Sequence, residues 1–191
     1  MNKIAGANNG RTEIRVTGFG GQGVILSGYI IGKAAALFAS KHATMTQSFG
    51  PEARGSACSA QVVVSEERIL YPYVRRPHIL IAMSQEGFVK SEPSVSENGL
   101  VLIEQDLVKP GILHGERTLH SIPAIRFAEE LGRRLVLNIV MTGFYAALAR
   151  VPEGDAVRKA VETSVPKGTE ELNLKAFDKG YEYGLGLSGE S

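Results

Sequence analysis

The chain carries the stretch EIRVTGFGGQG at residues 13–23, and this stretch decides the fold class. Polar and apolar residues alternate from Glu13 to Thr17, which predicts a β-strand. After the glycines, apolar residues recur at helical spacing up to about Ala39, which predicts a helix. A glycine-rich connection from a strand to a helix is typical of Rossmann-like α/β folds. The connection consists of Gly18, Phe19, Gly20, Gly21, Gln22 and Gly23.

The glycine pattern G-x-G-x-x-G allows more than one function. In a dinucleotide-binding domain the pyrophosphate lies on the helix N-terminus, and an acidic residue about 20 positions further on binds the ribose. Here no Asp or Glu occurs between Ile14 and Pro51, which argues against an NAD(P) site. The loop is then either a tight turn between strand and helix, or a binding site for another anionic group or a partner segment.

The rest of the chain alternates between short apolar runs and helical patterns. This order predicts an α/β fold, a three-layer α/β/α Rossmann-like domain with a largely parallel, mixed sheet. We expect residues 1–11 to be a flexible tail and residues 12–191 to form a single domain. Further strands are expected at 42–47, 58–65, 78–82, 100–103 and 118–122, and helices at 85–90, 123–132, 135–149, 153–163 and 169–183.

Composition narrows the class of protein. Among 191 residues, 43% are hydrophobic and 21% charged, which is ordinary for a globular protein and excludes a disordered or collagen-like chain. The net charge of +1 comes from scattered residues, so we expect no nucleic-acid partner and no membrane surface. The polar N-terminus has no apolar core typical of a signal peptide. These features predict a cytoplasmic protein.

The chain offers few groups for chemistry of its own. Its only cysteine, Cys58, cannot by itself form an internal disulfide, a zinc site or an iron–sulfur cluster, and its place in a predicted strand indicates a core residue. No acid–base pair and no nucleophile beside a base stands out, so we predict no catalytic residue in this chain. We also predict no metal site, because ligand spacing is absent around the histidines, His42, His78, His114 and His120.

A second loop, SFGPEARGS at residues 48–56, is rich in turn-forming residues. Arg54 can present its guanidinium to a carboxylate or a phosphate. Alternatively, Arg54 pairs with Glu52 or with the backbone and stiffens the loop. The candidate binding residues of this loop are Ser48, Glu52, Arg54 and Gly55.

Other polar residues are better explained by structure. Ser84, which follows a buried strand, is predicted to cap the next helix. Asn138 stands in an apolar helix and must find a hydrogen-bond partner, which is an architectural role. Packing at helical spacing is predicted for Asn173, Phe177 and Gly180.

Three ordered motifs resemble the gamma subunits of 2-oxoacid:ferredoxin (acceptor) oxidoreductases, the pyruvate/ketoisovalerate ferredoxin oxidoreductase family. The motifs are GFGGQG at 18–23, QSFGPEARG at 47–55 and AMSQE at 82–86. Asn138, and Asn173 with Phe177 and Gly180, are similar to the C-terminal helices of that family. The resemblance extends over about residues 13–183 and is far more specific than the glycine loop alone.

This resemblance implies oxidative decarboxylation of a 2-oxoacid with coenzyme A, giving acyl-CoA, CO₂ and reduced ferredoxin. In that family, alpha and beta subunits hold thiamine diphosphate with Mg²⁺, and beta or delta subunits hold the iron–sulfur clusters. The gamma chain binds no cofactor alone, packs against the alpha chain and completes a heterotetramer.

By matching position, Gly20, Gly21, Gln22 and Gly23 would form the family's glycine loop. Glu52, Arg54 and Gly55 would form its second loop. Both would lie near the buried site or the approach of coenzyme A. A helix N-terminus together with Arg54 would suit coenzyme A phosphates or a substrate carboxylate.

The chain departs from the family pattern at two positions. Ser56 follows Gly55 where the family commonly has a second glycine, and His78 precedes the AMS strand where an acid is common. The run ACSA at 57–60 is more like the 2-oxoglutarate members than the pyruvate members. We therefore predict the gamma subunit of a 2-oxoglutarate enzyme. The alternatives are a stand-alone NAD(P)-dependent oxidoreductase and a free-standing coenzyme A- or nucleotide-binding domain.

Overall fold

The strand that precedes the glycine loop lies third in a mixed six-stranded sheet of order β2-β3-β1-β4-β5-β6. The computed structural model describes residues 10–49, 57–187 and 189. β1, β4, β5 and β6 run parallel, whereas β3 is antiparallel to both β1 and β2. The strands are β1 (Arg11–Phe19), β2 (His42–Phe49), β3 (Ala57–Ser65), β4 (Ile79–Ala82), β5 (Leu100–Glu104) and β6 (Thr118–Ile122). The predicted largely parallel, mixed sheet is confirmed.

Helices cover both faces of this sheet. Alternate residues of β4 face opposite sides: Ile79 and Ile81 join the large core beneath α1 and α3–α6, whereas Leu80 and Ala82 pack with Phe88 of α2. This arrangement confirms the predicted three layers. The helices are α1 (Val24–Lys33), α2 (Gln85–Ser91), α3 (Ala124–Glu130), α4 (Leu137–Ala149), α5 (Gly154–Glu162) and α6 (Glu170–Leu187). None of the described helices is both long and apolar enough to cross a lipid bilayer.

Several element ends differ from the sequence-based expectation, most of them by one to four residues, and three of the differences concern the residues near the sheet edges and the first helix. β1 begins at Arg11, so this residue is part of the sheet and not of the predicted tail, while residues 1–9 lie outside the described residues. The first helix ends in a π-helical turn at Ala34–Phe38. Pro123 precedes α3 instead of lying in its first turn, because its ψ of 59° is not helical.

Two glycines allow α4 and α6 to pack at unusually short distance. A Cβ on Gly143 would overlap the carbonyl oxygen of Phe177, and a Cβ on Gly180 would overlap that of Val140. The contact is therefore reciprocal, with one glycine on each helix. Phe177 is buried, which confirms the predicted packing of this face of α6.

A buried carboxylate fastens the loop between β5 and β6 to the end of α2. Glu92 is 3% exposed, and it accepts hydrogen bonds from the backbone N–H of His114 (3.0 Å) and from the Arg117 guanidinium. The Nδ1 atom of the His114 ring lies 2.6 Å from the Oε2 atom of Glu92. Burial alone would raise the pKa of Glu92, but the hydrogen bonds from His114 and Arg117 outweigh it and lower the pKa below its ordinary value.

Candidate functional site

The glycine loop is shaped by its own side-chain neighbours. Gly20 and Gly21 form the turn between β1 and α1, and Gly21 has a φ of 97° that favours glycine. A Cβ on Gly18 would lie 2.6 Å from the Gln22 Oε1 atom. Gly23, with a φ of 73°, leaves no room either, since a Cβ there would lie 2.5 Å from the Asn138 amide. Internal contacts therefore account for the glycines at both ends of the loop.

Gln22 joins the loop to the end of β4. Its Oε1 accepts a hydrogen bond from the backbone N–H of Phe19 at 2.6 Å, and its Nε2 donates to the carbonyl of Met83 at 2.9 Å. Both ends of the amide are thus used inside the protein. Gln22 holds the loop in place, and a ligand contact by this side chain remains a prediction.

Asn138 joins the start of α1 to α4. Its Nδ2 donates to the carbonyl oxygen of Gly23 at 3.3 Å, and the side chain is buried. The hydroxyl of Thr142 donates to the Asn138 carbonyl at 2.7 Å and lies 3.2 Å from the hydroxyl of Ser27. The predicted architectural role of Asn138 is confirmed.

A cavity of about 300 Å³ opens beside the glycine loop. It lies where β1, β5 and β6 end, at the carboxyl edge of the parallel strands, where ligands commonly bind in α/β sheets. After β1 the chain continues to β2 and β3 on one side of β1, and it then crosses to β4, β5 and β6 on the other side. The glycine loop therefore also lies where the strand order reverses. The cavity is lined by Gly21, Gln22, Leu107, Ile125, Arg134, Leu135 and Leu137.

The electrostatics of this edge favour an anion with an apolar part. α1 begins without a side-chain cap and has no acidic residue in its first turn, so its N-terminal N–H groups carry an uncompensated partial positive charge. Arg134 stands at the cavity with an exposed side chain, 3.9 Å from the Glu129 carboxylate. Leu135 is 78% exposed. Neither residue was predicted as a site residue from the sequence, although the pair follows Gly132 and Arg133 directly before an apolar helix.

The second predicted loop is attached beside the first. β2 ends at Phe49 and β3 begins at Ala57, whose register partner is Phe19 at the end of β1. Ser48 is exposed at the end of β2, opposite Ser59. Glu52, Arg54 and Gly55 lie outside the described residues, so their binding role remains a prediction.

The motif after β4 serves the fold. The hydroxyl of Ser84 accepts a hydrogen bond from the backbone N–H of Gly87 at 3.2 Å, which confirms the predicted cap of α2. Cys58 is buried beside Gly18, and burial raises the pKa of its thiol, as expected for a core residue and not for a nucleophile.

Comparison with known proteins decides the family. A family model described as pyruvate ferredoxin/flavodoxin oxidoreductase matches residues 13–183. The chain belongs to this family. The 2-oxoglutarate synthase subunit KorC of Methanocaldococcus jannaschii is 48% identical over 174 residues, which cover 90% of this chain and 93% of that protein.

A solved gamma-subunit structure agrees with this assignment, and a second solved structure shares the fold. The gamma subunit of the keto/oxoacid ferredoxin oxidoreductase from Geobacter sulfurreducens PCA superposes with a TM-score of 0.81 at 37% identity, over 92% of this chain and 99% of that one. The 2-oxoglutarate:ferredoxin oxidoreductase from Magnetococcus marinus contains a similar fold, with a TM-score of 0.83 at 22% identity, over 93% of this chain and 31% of that chain.

The described side chains do not fit an iron–sulfur cluster or a metal ion. One cysteine cannot supply the four thiolates of an iron–sulfur cluster. Within residues 10–49 and 57–187, no group of three or more His, Cys, Asp or Glu side chains is arranged to hold a metal ion. His114 contacts the Glu92 carboxylate, and Arg117 donates to the other oxygen of the same carboxylate.

Proposed function

We propose that this chain is the gamma subunit of a 2-oxoglutarate:ferredoxin oxidoreductase. The complex would convert 2-oxoglutarate and coenzyme A into succinyl-CoA and CO₂ and pass the electrons to ferredoxin. The observation that carries the proposal is the 48% identity to a 2-oxoglutarate synthase subunit across nearly the full length of both chains. The structure of the Geobacter gamma subunit supports the same role.

The proposal assigns the redox chemistry to other subunits. Alpha and beta subunits would hold thiamine diphosphate with Mg²⁺, and a beta or delta subunit would hold the iron–sulfur clusters, in a cytoplasmic heterotetramer. The single cysteine of this chain supports that division. The exposed Leu135 at the cavity mouth supports contact with a further chain or a ligand, because large apolar side chains are stabilised by burial.

The glycine loop and the second loop would then complete the site from the gamma side. The uncapped start of α1 and the Arg134 guanidinium provide positive charge, and the leucines of the cavity provide apolar surface. Coenzyme A combines phosphates with a long arm that carries apolar methyl and methylene groups, and it suits this pairing. Arg54 would add a bidentate donor for a phosphate or a carboxylate.

The proposal is tested by purifying the tagged full-length chain from its native host without oxygen. We expect a thiamine-binding chain and a cysteine-rich chain to copurify. The mixture should reduce a viologen dye with 2-oxoglutarate plus coenzyme A, and more slowly when pyruvate or 2-oxoisovalerate replaces 2-oxoglutarate. Samples lacking coenzyme A and an untagged host extract are the controls.

Two results would contradict the proposal. The first is a folded chain that purifies alone, in which case direct titration with NADH, NADPH and coenzyme A tests the two alternative functions. The second is a complex that reduces the dye with pyruvate but not with 2-oxoglutarate, which would keep the family and overturn the substrate.

A further inference from the structure

Glu104, the last residue of β5, is fully buried and hydrogen-bonded only to backbone N–H groups among the described contacts of its carboxylate. Its Oε2 accepts from Asp106 and Leu107, both at 2.7 Å, and its Oε1 accepts from Ile125 at 3.2 Å. One carboxylate therefore joins the turn after β5 to the first turn of α3, 21 residues further along the chain.

The two segments that Glu104 joins are both walls of the cavity. Leu107 and Ile125 line it together with Gly21 and Gln22 of the glycine loop. We infer that Glu104 is a positioning residue for this cavity, holding Leu107 and Ile125 at the separation that a bound substrate of the complex requires. The inference rests on the proposed function, in which this cavity receives coenzyme A or the 2-oxoacid.

Simple packing does not explain a carboxylate at this place. The residues before it in β5 are Leu, Val, Leu and Ile, all buried, and an apolar residue at 104 would avoid the cost of burying a charge. It would, however, leave three backbone N–H groups without an acceptor. A carboxylate has about four acceptor positions on two oxygens and can satisfy donors from both segments at once.

An exposed ion pair joins the same two segments from outside. The Arg126 guanidinium donates to both carboxylate oxygens of Asp106, at 2.9 and 2.8 Å. Asp106 lies in the turn after β5, and Arg126 lies in α3. Two contacts therefore fix the separation of the two walls, the buried Glu104 carboxylate and the exposed Asp106–Arg126 ion pair. Each contact can be changed by its own variant, so two variants test the same function.

The first variant is Glu104→Gln in the assembled complex. The amide oxygen can still accept from Asp106 and Leu107, but the amide NH₂ would then face the N–H of Ile125, donor against donor. We expect the apparent KM for coenzyme A or for 2-oxoglutarate to rise about fourfold, the effect of losing contact with about one buried methylene, at unchanged kcat. Glu67→Gln, an exposed carboxylate at the opposite edge of the sheet, is the control and should leave both KM values unchanged.

Hydrogen exchange provides the readout besides activity. The amides of Ile125 and its neighbours in α3 should exchange faster in Glu104→Gln than in Glu67→Gln, because the N–H of Ile125 loses its acceptor. A raised KM together with faster exchange supports the inference. An unchanged KM for both substrates, or a lower kcat at unchanged KM, overturns it and leaves Glu104 a purely structural residue.

The second variant, Asp106→Asn, decides the question if Glu104→Gln yields no complex. It weakens only the exposed Asp106–Arg126 ion pair, so we expect a smaller rise of the same KM. An unchanged KM overturns the inference. A wild-type complex without coenzyme A-dependent dye reduction contradicts the proposed function instead. The two failures are therefore distinguishable.

Discussion

The amide of Gln22 offers a sharp test of how the glycine loop is held. Gln22→Glu keeps the oxygen that accepts from Phe19 but replaces the NH₂ that donates to Met83. A carboxylate oxygen would then face the Met83 carbonyl oxygen across the 2.9 Å of the present hydrogen bond. Losing this bond and leaving the carbonyl without a donor costs about 2–3 kcal/mol of unfolding free energy. For a chain of this size, that lowers Tm by about 4–12 °C.

The unfolding free energy lost in Gln22→Glu should be smaller at low pH than at neutral pH. The folded state raises the pKa of the introduced carboxyl, because its charged form meets a carbonyl oxygen. The destabilisation is therefore full at neutral pH and shrinks as the pH falls toward about 4.3, the ordinary value for Glu. The protonated carboxyl can again donate to Met83. Urea unfolding at pH 7 and pH 5, followed by circular dichroism, measures both effects.

Gln85 provides a matched control for this experiment. Its amide also accepts from a backbone N–H and donates to a backbone carbonyl, both of Lys109, at 2.7 and 3.3 Å, but the residue is exposed. Water replaces the lost bond there, so Gln85→Glu should cost less than about 0.5 kcal/mol. Equal losses for the two variants, or no loss for Gln22→Glu, would refute the role given to Gln22.

Three further predictions concern packing, pH and the second loop. Gly143→Ala should destabilise the protein by about 3 kcal/mol or more, because the new Cβ would overlap the backbone carbonyl of Phe177 in α6, which cannot move aside. The control Gly186→Ala has open space around its new Cβ and should be neutral or slightly stabilising in the same urea assay. The lowered pKa of Glu92 contributes stability that is present above the ordinary pKa of Glu and is lost as the pH falls through the lowered value. Glu92→Gln should therefore flatten the acid side of a curve of unfolding free energy against pH. A curve that runs parallel to that of the wild type would contradict this. Arg54→Ala should lower turnover of the complex without loss of assembly, while exposed Arg68→Ala should not; equal turnover in both variants would remove the ligand role of Arg54.

The order and type of the elements could be predicted because their signals are local. Alternation in β1, the apolar run of β4 and the helical spacing of α4–α6 are properties of a few neighbouring residues, and each element lies where its pattern indicates. Errors are confined to ends such as Pro123 and Arg11. End positions depend on which backbone groups find partners across the fold, and the sequence does not show those partners.

The role of a polar residue could likewise be predicted where its partner is near in the sequence, and not where its partner is far away. Ser84 acts on an N–H three residues away, so its cap was predictable. Asn138 was predicted to need a partner, but the identity of that partner, the Gly23 carbonyl 115 residues away, was not. Glu104 gave no signal beyond an acid at the end of an apolar run, since the N–H of Ile125 becomes its neighbour only when β5 and β6 pair.

The glycine pattern itself has a different physical origin from the one its spacing suggests. In a dinucleotide-binding loop, glycines allow the backbone to approach a pyrophosphate. Here Gly18 makes room for the side chain of Gln22, and Gly23 makes room for that of Asn138. Two of the glycines are thus required by amides that fasten the loop to β4 and α4. The Gln22 amide is bonded at both its ends, and Asn138 donates to the Gly23 carbonyl. What the loop still presents is the uncapped start of α1 beside an apolar cavity. That arrangement can orient an anionic ligand at the carboxyl edge of the parallel strands.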